Sequence, residues 1–134
     1  MNPIDLGASA SPARYRYVAL RLLKDRLCDG VLVSICSTSI TRISEIAGEL
    51  TDLAQHFAGL RKPLIVQLQG GADCDAAIGH LLNAGIPAYT TRERAVSALA
   101  APRTYSDLQV KTGLPDVENG RPWRPVDKLK HVTT

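Results

Sequence analysis

The stretch Lys62 to Ala100, KPLIVQLQGGADCDAAIGHLLNAGIPAYTTRERAVSALA, constrains the fold more than any other part of the chain. The apolar run Leu64 to Leu68 meets Gly70-Gly71. A helical pattern follows, with Cys74, Ala77, Ile78 and Leu81 on one side. Asp73 is placed to cap that helix and Gly85 to end it. A short extended piece, Ile86-Pro87-Ala88-Tyr89, then leads to Thr90-x-x-Glu93, a capping box opening another helix. Strand, helix, strand, helix with short links is the pattern of a parallel sheet with crossover helices. In such sheets function sits where strands hand over to helices.

The same logic extends upstream. Ser11-Pro12 starts a helix with proline at its first position. Tyr15, Val18, Ala19, Leu22 and Leu23 form its apolar face, and the helix ends near Cys28-Asp29-Gly30. Val31 to Cys36, VLVSIC, is apolar enough for a strand covered on both faces. After Ser37-Thr38-Ser39, a second long helix carries Ile43, Ile46, Ala47, Leu50, Ala54 and Phe57 on one stripe. Ser39 or Thr41 could cap it. The expected class is α/β in three layers. A small parallel sheet, with strands near 31–36, 64–69 and 86–89, carries crossover helices on both faces. Residues 1–101 form this unit, and 102–134 form a Pro- and charge-rich extended tail.

Composition excludes several function classes. A chain of 134 residues is one domain's worth, with 16 basic and 13 acidic residues and a net charge of +3. That excess is too small to argue for nucleic acid, and no basic cluster has aromatics interleaved. No apolar run is long enough to span a membrane, and the first residues lack the apolar core of a signal peptide. A cytoplasmic protein is expected. Cys28, Cys36 and Cys74 match neither a disulfide framework nor a metal motif, and read as small packed side chains. His56, His80 and His131 are in no nucleophile–base arrangement, so no catalytic residue and no metal ligand is assigned. Asp5, in the first loop, is the one residual acidic candidate.

Parallel strands bring their carboxyl ends to one edge. Three loops meet there: Ser37-Thr38-Ser39-Ile40, Gln69-Gly70-Gly71-Ala72 and Thr90-Thr91. Each feeds a helix start, where free N–H groups favour a carboxylate or phosphate. Ser37, Thr38, Ser39, Ile40, Gly70 and Gly71 are therefore the candidate substrate- or anion-binding residues. The competing explanation is that Ser, Thr and Gly are what turns and caps require.

Four segments carry a resemblance, in order. Asn-Pro-Ile-Asp-Leu (2–6) with Pro12-Ala13-Arg14-Tyr15 resembles an NPxDL…P-x-x-Y segment of the NDP-forming acyl-CoA synthetases, the superfamily of succinyl-CoA synthetase. Asp29-Gly30-Val31-Leu32-Val33 resembles its D-A-V-L-V strand, and Lys62-Pro63-Leu64-Ile65 its K-P-V strand. Ala84-Gly85-Ile86-Pro87-Ala88-Tyr89, then Glu93-Arg94-Ala95-Val96-Ser97-Ala98-Leu99, resembles its AGIPxY…PERAVxAL ending. The resemblance covers about residues 2–101 and implies part of a flavodoxin-like carboxyl-terminal domain. It implies a ligase that joins an acid to CoA using ATP or GTP with Mg, through an acyl phosphate and a phosphohistidine. The phosphohistidine motif is missing here, and Ile78-Gly79-His80-Leu81 does not match it. The nucleotide-grasp and CoA-binding domains are missing as well. In the succinyl-CoA synthetase branch, the loop at the place of Ser37–Ile40 helps hold the organic acid. Ser37 and Thr38 stand where that branch has glycines.

The expected function is thus a partial module of such a synthetase, inactive alone and binding no cofactor by itself. It would contribute an interface and part of an acid or phosphate pocket. Its partners would be other synthetase domains or subunits, or itself as a homodimer. The alternative is a stand-alone, self-associating regulatory domain that binds a small anion.

Overall fold

A computed structural model describes residues 2–60 and 62–101. The first helix, α1 (Pro12–Lys24), starts where Ser11 accepts a hydrogen bond from the Arg14 N–H at 3.3 Å, with Pro12 locked in helical φ beside it. Its end is held from a distance. The Lys62 ammonium donates to the Leu23 and Asp25 carbonyls, each at 2.8 Å, and so satisfies acceptors that a helix C-terminus leaves open. The lysine of the Lys62-Pro63 pair therefore ties the second strand's start to α1.

The order continues β1 (Val31–Cys36), α2 (Ile43–Gly59), β2 (Leu64–Gln69), α3 (Ala72–Asn83) and β3 (Ala88–Tyr89), with a last helix, α4, over 92–101. The strands are parallel in the order β1-β2-β3, with Val31 opposite Leu64 and Val66 opposite Ala88. Two crossovers taken in the same direction belong on one face. Accordingly α1, α2 and α3 pack in a row, α2 between the other two. Ala19, Leu23, Ile46, Leu50, Leu53, Phe57, Cys74 and Leu81 meet Val31, Ile35, Leu64, Val66 and Leu68 in one core. Leu53 is fully buried although the sequence stripe omitted it. Arg16 pins α1 to α2 through Glu49 at 3.2 Å and Asp52 at 3.8 Å, an exposed cluster contributing about 0–1 kcal/mol.

The opposite face of the sheet is α4's. A Cβ on Gly30 would meet Leu99 at 3.2 Å and Pro63 at 2.7 Å, and Ala95 is fully buried. This gives the three layers expected from the sequence, with one correction: both crossover helices, α2 and α3, lie on one face, because the strands follow one another in order across the sheet, and the second face is covered by α4 rather than by a crossover. The 102–134 tail lies outside the described residues.

Several local expectations are corrected. Among the described residues β1 is an edge strand and is not covered on both faces: Ser34 and Cys36 are exposed, and Leu32 and Val33 are half-buried. A run of apolar residues does not reveal which strand will be central. Neither Ser39 nor Thr41 caps α2; Arg42 holds that position without a side-chain bond. Asp73 does not cap α3, because Gly71 is the N-cap and Asp73 sits within the first turn. The helix after β3 begins at 92, so Thr91 directly precedes it and Thr90 is one residue too early for the expected capping box. The third strand shrinks to Ala88–Tyr89, because Pro87 has no N–H and contributes only its carbonyl, to Val66 N–H at 2.9 Å. The first helix ends at Lys24, short of the expected Cys28. Gly85, with φ of 81°, follows the α3 C-cap as expected.

Candidate functional site

The parallel order places Cys36, Gln69 and Tyr89 at one edge, and the three loops begin there. The first two loops meet closely. Ser37 N–H donates to the Gln69 carbonyl at 2.8 Å, extending the β1–β2 ladder by a residue. Gly70, at φ 157°, lies so near that a Cβ on it would sit 2.5 Å from Ser37 Cβ and 3.0 Å from Cys74 Sγ. Glycine is required here for both backbone conformation and space.

The hydroxyl-rich loop is largely occupied with itself. Thr38 N–H donates to Thr41 Oγ1 at 3.2 Å, the two threonine hydroxyls lie 2.7 Å apart, and Thr41 N–H donates to the Thr38 carbonyl at 3.1 Å. Ser39 and Ile40 form the exposed tip of this turn. At α3, Gly71 offers no side-chain cap, and Asp73 and Asp75 stand in the first turn, where their charge already complements the helix dipole. Ser37 and Gly70 are thus brought together, Gly71 starts α3 beside them, and Thr38, Ser39 and Ile40 continue the rim.

The third loop adds a feature the sequence reading did not single out. Gln69, Thr90, Thr91, Arg92 and Glu93 line a shallow open depression of about 190 Å³ at the start of α4. Beneath it, Gln67 is a fully buried polar side chain. Its Oε1 accepts from Ser34 Oγ at 2.6 Å and its Nε2 donates to the Thr90 carbonyl at 3.2 Å. One amide therefore connects β1, β2 and the turn into α4. The signal was present in sequence, as a glutamine inside the apolar run LIVQLQ, since a polar group in a central strand must find partners.

The remaining candidates separate from this edge. Asp5 is exposed and accepts from the Gly7 N–H at 2.8 Å, which makes it a turn former. Burial, and secondarily the Asp5 charge, push the Tyr15 hydroxyl above its usual range. His56 and His80 are exposed on helices, and His131 lies outside the described residues. Cys74 is buried as expected, whereas Cys36 is exposed and Cys28 half-buried. Burial pushes the Cys74 thiol up. The Ser37 hydroxyl opposes this, and Asp75, Asp73 and Cys36 add to the rise. A buried thiol held protonated is a packing group and a poor nucleophile. Among the described residues no group of three or more His, Cys, Asp or Glu is arranged to hold a metal, and no helix is long and apolar enough to cross a membrane.

No family model matches the chain. A curated relative, the acetate–CoA ligase (ADP-forming) I subunit alpha of Pyrococcus furiosus, is 33% identical over 110 residues, covering 82% of this chain and 24% of the relative. Two solved structures of the dinucleotide forming acetyl-coenzyme A synthetase 1 of Ca. Korarchaeum cryptofilum, one with phosphate and ADP and one apo, superpose with a TM-score of 0.75. Both are 32% identical and cover 86% of this chain and 25% of theirs. The chain spans about a quarter of the length of the proteins it matches. Sequence and fold together make the chain a partial homologue of the NDP-forming acyl-CoA synthetases.

Proposed function

We propose that the chain is a cytoplasmic module of an NDP-forming acyl-CoA synthetase, which other domains or subunits complete. It supplies an interface and one wall of a site for a small carboxylate or phosphate, and it forms no thioester alone. CoA, ATP or GTP, and Mg belong to the complete enzyme. The observation carrying this reading is the pairing of 82% coverage of this chain with 24% coverage of the relative. The assigned edge residues are Ser37, Thr38, Ser39, Ile40, Gly70 and Gly71, and Arg92 is exposed in the separate depression at the start of α4.

Two tests follow. Genes beside this one should encode nucleotide-grasp and CoA-binding domains, and neighbours with neither would count against the module. Titration of the chain with inorganic phosphate or acetate should shift the amide resonances of Ser37–Ile40, Gly70 and Gly71. Unchanged resonances at millimolar ligand would remove the pocket while leaving the interface role intact. A self-associating regulatory domain is the second reading, favoured by the outer edge of β1, which no described residue pairs. A monomer in size-exclusion chromatography at all concentrations would dismiss it.

A further inference from the structure

We propose that the outer face of the α1–α2–α3 row is an interface between two copies of this chain, with the basic α1 of each copy lying on the acidic α3 of the other. This rests on the self-associating reading above, for which it names the surface, and is independent of the module reading.

Charge is divided along the row. α1 carries Arg14, Arg16, Arg21 and Lys24 and no acidic residue. α2 carries Glu45, Glu49 and Asp52, and α3 carries Asp73 and Asp75, with no lysine or arginine in either helix. Arg16 is turned to α2, where it meets Glu49 and Asp52. Arg14, Arg21 and Lys24 are exposed, as are Asp73 and Asp75.

Relief is divided in the same way. Helical spacing puts Arg14, Tyr17, Arg21 and Lys24 on one side of α1, away from buried Ala19 and Leu23, and Tyr17 is 64% exposed. These long side chains form a ridge. On the other two helices the positions turned away from the core include Gly48, Ala76 and Gly79, and a Cβ on either glycine would meet nothing within 4 Å. The surface there is low. Ridge and hollow complement one another in shape, as the cations and carboxylates do in charge.

Two-fold symmetry selects one arrangement. Each of the three helices runs from the carboxyl edge of the sheet back to its amino edge, so all three point the same way. A two-fold axis in the face and perpendicular to the helices would set α1 against α1, and like charges oppose that. An axis parallel to the helices sets α1 against α3 of the second copy at equal height, and the two helices match in length at 13 and 12 residues. Arg14, near the start of α1, then meets Asp75 near the start of the second copy's α3. Tyr17 meets Ala76 and Gly79, and Arg21 and Lys24 meet the negative end of the α3 dipole. α2 lies at the axis, where Gly48 leaves room for approach and Arg16 already stands 3.8 Å from Asp52. A face about 18 Å long and about 28 Å wide buries about 500 Å² per copy. A total of about 1,000 Å² is at the low end for a specific interface, which makes the dimer weak and sensitive to salt.

The test is sedimentation equilibrium of the full 134-residue chain across concentration, at low and at high salt. The chain should form a dimer that weakens as salt rises. Arg14→Glu and Asp75→Arg should each weaken it about tenfold or more. Arg14→Glu also completes a capping box with Ser11, so α1 stays folded. An equimolar mixture of the two variants should dimerise as tightly as the unmodified chain, because one contact is reversed in sign and the other is native. A monomer under all conditions would overturn this interface and the self-associating reading, and leave the module reading standing. A dimer that neither variant weakens, or a mixture that does not recover it, would overturn this interface alone.

Discussion

β1 and β2 have equal length and similar composition, VLVSIC and LIVQLQ, and they pair residue for residue. β2 is buried at five successive positions, from Leu64 to Leu68, whereas β1 buries only Val31 and Ile35. The difference comes from sheet order, which among the described residues gives β2 two neighbours and β1 one. Among the described residues, the central strand is buried by neighbours on both sides and the edge strand by a neighbour on one.

Substitutions at paired positions test this contrast. Ile65 and Leu32 are register partners on the same face, one buried and one half-exposed. Ile65→Ala should cost about 2–5 kcal/mol in denaturant unfolding and Leu32→Ala about 1 kcal/mol or less. Equal costs would mean that β1 is covered in solution. Gly70→Ala forces a Cβ against Ser37 and should cost about 1–3 kcal/mol in unfolding experiments, because the two loops must separate. Gln67→Leu removes the bonds to Ser34 and Thr90 and should cost about 1–2 kcal/mol, loosening the turn into α4 in hydrogen exchange.

The smallest effect concerns the thiols. Cys36, exposed on the edge strand, should react first with a thiol reagent, and Cys74 only on unfolding. Burial above all pushes the Cys74 thiol above its ordinary range. The folded chain therefore keeps its proton where the unfolded chain loses it. Stability from this group is intact at neutral pH and declines as pH rises into and beyond the ordinary thiol range. A Cys74→Ser variant should flatten that alkaline decline in pH-dependent unfolding.

Much of the fold was legible because local signals agreed. Ser11-Pro12 opened a helix, VLVSIC and LIVQLQ were strands to the residue, and Gly85 followed the helix it was expected to end. Caps were read less well. Ser, Thr and Asp near a helix start have several backbone partners to choose from, and Thr38 and Thr41 chose each other. The edge position of β1 was illegible because burial depends on neighbours that periodicity does not encode. At the candidate site, loop positions followed from parallel order alone. The approach of Ser37 to Gly70 and the span of Gln67 from Ser34 to Thr90 are tertiary facts.

Incubating the purified 134-residue chain with acetate, CoA, ATP and Mg, and following acetyl-CoA formation, tests the central claim most directly. The account predicts no product above a blank without protein. Turnover that scales with chain concentration would contradict it, because the chain would then contain a complete ligase site.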